Sequence, residues 1–204
     1  MLMPTLETDR LLVRPFTLDD LDALHQILDI ELSEADVGDG GPRQYAERRE
    51  WLQWTVLSYG ELAKLYQPPY GDRAVVLKDT NLLIGACGYA PALNAFGQLP
   101  SYGLDSTATG LASPEFGLYY AISPAQQRRR YAAEAAQALV DYAFGELRLR
   151  RVVATTSYDN AGSMGVMRRL GMRIERNPYP DPPWLQVVGI LEHPALSTAE
   201  ARQG

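Results

Sequence analysis

Along residues 9–28, "DRLLVRPFTLDDLDALHQIL", the apolar positions change period. Leu11, Val13 and Pro15 alternate with Leu12, Arg14 and Phe16, the two-residue repeat of a strand; from Thr17 onward Leu18, Leu21, Leu24, His25 and Leu28 fall on one helical face. Thr17 is a good N-cap, and Asp19 and Asp20 suit the positive end of the helix that follows. The pattern stops in "SEADVGDGGP", where acidic residues and glycines predict a loop. A second helix is predicted from Pro42 to about Tyr59, carrying Tyr45, Trp51, Leu52, Trp54 and Leu57, with "ERRE" as a solvated face. "DRAVVLKDTNLLIGACGYA" predicts a hairpin of two strands, 73–78 and 82–90, joined by Asp79, Thr80 and Asn81.

Residues 91–113 have no period, are rich in Gly, Pro, Ser and Thr, and exceed an ordinary hairpin connection, so they predict a lid or a mobile segment. "EFGLYYAI", 115–122, is a nearly continuous apolar run, as for a strand buried on both faces. There follow a helix to about Gly145, the strand "RVVATT", a helix from Asn160 to Leu170 closed by Gly171, and strands around "MRIER" and "WLQVVGIL". With no repeat and no clear linker, the pattern predicts one α+β domain, 1–192, and a flexible tail, 193–204.

Composition narrows the function. The chain has 204 residues, 46% hydrophobic, enough for a real core. Its N-terminus lacks a secretory signal and no run is long enough to span a membrane, so a cytoplasmic protein is expected. The single cysteine, Cys87, lies in an apolar run and reads as core; with only two histidines, His25 and His193, a metal centre is disfavoured. The net charge of -6 argues against a broad nucleic-acid surface. Any positive site must be local.

One such site stands out. In "SPAQQRRRYAAEAAQALVDYAF" three arginines run into a helix whose stripe of Ala132, Ala135, Ala136, Leu139, Val140, Ala143 and Phe144 suits close packing on a sheet. The first amides of a helix have no intrahelical acceptor and, with the helix dipole, can hold an anion; Arg128, Arg129 and Arg130 would add guanidinium donors for phosphate. Alternatively, the three arginines ride on the surface and pair with carboxylates of an acidic protein.

In order along the chain, "ETDRLLVRPFTLDDLDAL", "YYAISP", "QQRRRYAAEAAQALVDYAF" and "RVVATTSYDNAGSMGVMRRLGM" resemble the GNAT superfamily of N-acetyltransferases, in its branch of ribosomal-protein alanine N-acetyltransferases, over roughly residues 6–192. The resemblance implies a mixed central sheet of about six to seven strands, splayed in the middle and flanked by about four helices. It implies acetyl-CoA as co-substrate, its pyrophosphate on the loop Gln127, Arg128, Arg129, Arg130, Tyr131 and Ala132, and its pantetheine arm along the main chain of Tyr120, Ala121 and Ile122. Where relatives carry glycine, this chain has Arg130, and Arg128 stands where a second glycine is frequent. Glycine permits unusual dihedrals and close phosphate approach, which arginine is expected to forfeit. Either the side chains swing out and clamp the phosphates, or Arg130 fills the groove.

Acetyl transfer to an amine needs a neutral amine, a polarised carbonyl and help for the departing thiolate. By resemblance, Ser163 would stabilise the thiolate and Asn160 orient the pantetheine, although both also suit the start of a helix. The wider family's tyrosine acid falls on Met167, which cannot donate a proton. Glu115 and Asp181 are candidate bases, the latter in a prolyl segment that borders the acceptor pocket in this family and ends at Trp184. The resemblance implies a small-molecule amine or a peptide N-terminus as the acceptor, attacked directly in a ternary complex. The rival expectation is a GNAT-fold protein with a degenerate pyrophosphate loop. Exposed strand edges leave homodimer formation open.

Overall fold

Leu11 and Val13 are fully buried in the second strand while Leu12 and Arg14 are half-buried, so the alternation in the sequence becomes the two faces of a sheet. The computed structural model describes residues 2–35, 41–102 and 111–196. In chain order the elements are β1 (Leu6–Glu7), β2 (Leu11–Arg14), α1 (Leu21–His25), α2 (Tyr45–Lys64), β3 (Gly71–Leu77), β4 (Leu83–Asn94), β5 (Ser113–Ile122), α3 (Tyr131–Gly145), β6 (Arg151–Thr156), α4 (Ala161–Arg169), β7 (Arg173–Arg176) and β8 (Val187–Glu192). The strand order is β1-β2-β3-β4-β5-β6-β8-β7, one mixed sheet of eight strands. The strand beyond the six or seven expected is β1, whose two residues are too few to show a period. Two compact units can be distinguished, residues 1–90 with 118–139 and residues 91–117 with 140–204.

In the first unit β1 to β4 pair antiparallel, and β3 and β4 form the predicted hairpin with Asn81 in left-handed backbone. Its core joins Phe16, Leu24, Leu28, Leu52, Ala74, Val76 and Ala86 with Ala121 of β5. The first helix is interrupted: α1 gives way to a π-helical segment, Gln26–Glu31, and the second helix starts at Tyr45 and runs on to Lys64. The π-segment carries Asp29, whose buried carboxylate accepts two bonds of 2.7 Å from the fully buried Arg48, one of 2.8 Å from the Arg43 amide, and lies 2.8 Å from His25 Nδ1. Burial alone would raise this carboxyl; the hydrogen bonds outweigh it and hold it below the usual carboxylate range. Cys87 is fully buried, and burial pushes its thiol up, as fits a core residue. At Gly85 an added Cβ would stand 2.2 Å from the Ala121 carbonyl oxygen, so only glycine lets β4 and β5 approach this closely.

In the second unit β6 pairs with β8 over six residues and β8 with β7, both antiparallel, while β5 runs parallel to β6 with a single pair, Gly117 with Val153, among the described residues. The segment 91–113, expected to be a lid or mobile, carries regular structure in its first half. β4 continues to Asn94, two 3-10 turns follow, and Phe96 and Leu99 are buried with Val153, Leu185, Val188 and Ile190. Spacing concealed this because single buried side chains in 3-10 turns make no repeat. Residues 103–110 of that segment, 36–40 of the acidic loop and 197–204 of the expected tail lie outside the described residues. Met167 is fully buried against β8: a Cβ at Gly189 would lie 2.9 Å from its sulfur.

Candidate active site

In the first unit the arginine loop leaves β5 through Ser123, whose amide donates to the Ile84 carbonyl at 2.9 Å and whose hydroxyl donates to the Glu31 carboxylate at 2.5 Å. A 3-10 turn, Pro124–Gln126, follows, and the Gln127 side-chain amide donates back to the Ile122 carbonyl at 3.0 Å. The chain then turns through left-handed backbone twice, at Arg128 with φ 61° and at Arg130 with φ 68°. The expectation that arginine forfeits the glycine dihedrals is therefore overturned: both arginines adopt them, at a cost of roughly 1–2 kcal/mol each for an L-residue. All three guanidinium groups point into solvent, and among the described residues none forms an ion pair or hydrogen bond. The carboxylate pairing proposed as the alternative does not occur there.

What holds this loop is Arg10. Its guanidinium donates to the Arg129 carbonyl at 3.1 Å, forks onto Glu134 at 2.8 and 2.5 Å, and lies 4.4 Å from the centre of the Tyr131 ring. Thr8 donates to the same carboxylate at 2.5 Å. Burial would raise the Glu134 carboxyl; bonds from Thr8 and Arg10 prevail and keep it low, so a negative charge sits in the first turn of α3, where the helix dipole favours it. The first bond of α3 runs from the Glu134 amide to the Arg130 carbonyl, leaving the amides of Tyr131 and Ala132 without intrahelical acceptors. Left-handed turns, free helix amides and unpaired guanidiniums together fit a polyphosphate. On β5, Ala121 and Ile122 are buried and Tyr120 half-buried; the Ile122 carbonyl is already taken by Gln127.

The second unit holds the remaining candidates. Asn160 caps α4, its side-chain oxygen accepting the Ser163 amide at 2.9 Å. Glu115, 8% exposed, is engaged by Arg151, which reaches its carboxylate at 2.6 Å through one guanidinium nitrogen and at 2.9 Å through another. That bond raises Arg151 further above its ordinary value. The Tyr102 ring lies over the same guanidinium at 4.2 Å and stacks on Phe96; burial, then the Glu115 charge, pushes its phenol up. Asp181 behaves differently: Gln98 holds its carbonyl at 3.0 Å, while its exposed carboxylate has no partner among the described residues. Glu31, Gln98 and Asn177 carried no sequence signal, because each acts across 79 or more residues.

A helix start whose geometry fits an anion thus follows a central strand of this mixed sheet. Residues 10–173 match the acetyltransferase (GNAT) domain, and the chain belongs to that family. The N-acetyltransferase YnaD of Bacillus subtilis, itself uncharacterised, is 27% identical over 168 residues, 82% of each chain. Among solved structures, an acetyltransferase from Agrobacterium tumefaciens C58 shares 25% identity with a TM-score of 0.66, covering 93% of this chain and 95% of its own. RimL, the ribosomal L7/L12 alpha-N-protein acetyltransferase solved in complex with coenzyme A, shares the fold at 17% identity, with a TM-score of 0.59 over 90% of this chain and 93% of that one.

Proposed function

We propose that this acetyltransferase carries acetyl from acetyl-CoA to a primary amine, a peptide N-terminus or a small-molecule amine, by direct attack in a ternary complex. The observation that carries the reading is the left-handed backbone at Arg128 and Arg130, a conformation that glycine favours, at the two positions where the resemblance expects glycine. It also weighs against a degenerate loop. Acetyl-CoA supplies the activated thioester. The loop Gln127 to Ala132 holds its diphosphate through amides and the three guanidinium groups. The main chain of Tyr120 and Ala121 is the seat proposed for the pantetheine arm, with Ile122 giving its amide side rather than its occupied carbonyl. Ser163 serves the departing thiolate, and Asn160 fixes Ser163 as it caps α4.

For the base, the geometry ranks the two candidates. Glu115 is held in a salt bridge by Arg151, whereas the Asp181 carboxylate is exposed and without a partner among the described residues, so of the two Asp181 is the one open to an acceptor. The cytoplasm is proposed as the compartment. Isothermal titration with acetyl-CoA tests the reading: binding with micromolar affinity and thiol release on adding a primary amine are expected, and no heat at high micromolar ligand would overturn it.

A further inference from the structure

The connection between β7 and β8 is locked by carboxamides. Asn177, 3% exposed, donates through Nδ2 to Gln98 Oε1 at 2.9 Å, and Gln98 Nε2 donates to the Asp181 carbonyl at 3.0 Å. The Asn177 amide donates to the Gln186 carbonyl at 2.8 Å, and its side-chain oxygen accepts the Tyr179 amide at 3.2 Å. Tyr158 closes the base of the loop, its hydroxyl donating to the Asn177 carbonyl at 3.0 Å and its amide to Gln186 Oε1 at 2.8 Å. Four prolines between 178 and 183 restrict the backbone further.

On this frame stands Trp184, 68% exposed, its indole N–H fixed by Asn94 Oδ1 at 2.8 Å. A large apolar ring kept in water and held in one orientation marks a binding surface, because its desolvation is recovered only when something covers it and its entropy has already been given up. Trp54 is nearly as exposed, at 63%, yet no hydrogen bond orients it among the described residues. The chain supplies cations to its other rings: Arg48 over Trp51, Arg10 over Tyr131 and Arg151 over Tyr102. Among the described residues it supplies none to Trp184. Three positions earlier Asp181 presents an exposed carboxylate without a partner there. An indole face with a free carboxylate selects positive charge and repels anions.

We infer that Trp184 and Asp181 form the recognition platform for an organic cation, an ammonium or guanidinium group, carried by the acceptor. This names the substrate class and rests on the amine-acetylation reading above.

The test compares alanyl-arginine amide with its neutral isostere alanyl-citrulline amide, and 1,4-diaminobutane with 1-aminobutane, as acceptors. The expected KM is at least tenfold lower for the cationic member of one pair, and which pair responds separates a peptide from a small amine. Trp184→Ala is expected to abolish the preference, Trp184→Phe to keep part of it, and Trp54→Ala to leave it untouched. Asp181→Asn is expected to raise the KM of the cationic member; a fall in kcat with that KM unchanged takes Asp181 out of the platform and counts against the inference. The acetyl-CoA dissociation constant of each variant stays at the wild-type value. An unchanged preference in Trp184→Ala with cofactor binding intact overturns the inference. If the wild type binds no acetyl-CoA, the function above fails, and calorimetry of the same ligands on the free protein still decides this inference, with equal heats for charged and neutral members counting against it.

Discussion

The Ser123 hydroxyl donates to the Glu31 carboxylate at 2.5 Å, tying the end of the π-segment to the residue from which the arginine loop departs. Ser123 is otherwise buried, so Glu31→Ala strands its hydroxyl. The expected loss is about 1–2 kcal/mol of stability. A severalfold weaker acetyl-CoA affinity should accompany it, read by urea unfolding and calorimetry.

Arg128→Gly and Arg130→Gly relieve left-handed strain but add unfolded-state entropy, so each should raise stability by no more than about 1 kcal/mol. Arg130→Ala keeps the strain and gains nothing. All three variants should bind acetyl-CoA more weakly, with a shallower salt dependence, because a phosphate-directed charge is gone. Affinity titrated at low and raised salt checks both statements.

Arg48→Ala leaves Asp29 buried without its main partner and is expected to cost about 3–5 kcal/mol. The pH dependence follows from the lowered Asp29 carboxyl. Because the folded value lies below the unfolded one of about 3.9, this contribution is complete at neutral pH and disappears as pH falls through the folded value. Melting temperature against pH should therefore drop steeply on the acid side, less so in Asp29→Asn.

Glu115→Gln removes the charge that engages Arg151 and should cost about 1–3 kcal/mol, less than a fully buried pair because Arg151 remains partly exposed. If Asp181 or water takes the proton, turnover falls less than tenfold. A collapse of kcat with stability unchanged would restore Glu115 as the base.

Ser163→Ala should lower kcat more than it raises KM for acetyl-CoA, since the cap on α4 uses the Ser163 main-chain amide and survives the change. Steady-state kinetics with fixed amine resolve the two parameters, and an unaltered kcat removes the hydroxyl from the reaction.

The order of strands and helices was readable because β2, the β3–β4 hairpin, α3 and α4 each carry a local period or a cap. Arg128 and Arg130 could be located but not their backbone, since residue type says glycine-like turns are avoided and only the surrounding fastenings of Arg10, Gln127 and Glu134 override that preference. The loop built on Asn177 and Gln98 was invisible for a different reason. Carboxamides that meet across 79 residues leave no trace in spacing, and the 3-10 turns that bring Phe96 inside have too few residues to display one.

Met167 and Gly189 are matched to each other: the sulfur occupies the volume that any side chain on β8 would claim. Grafting a phenol at 167 would drive a rigid ring into that strand instead of presenting an acid to a thiol. A tyrosine acid at this position is thus opposed by the packing of the sheet beneath it.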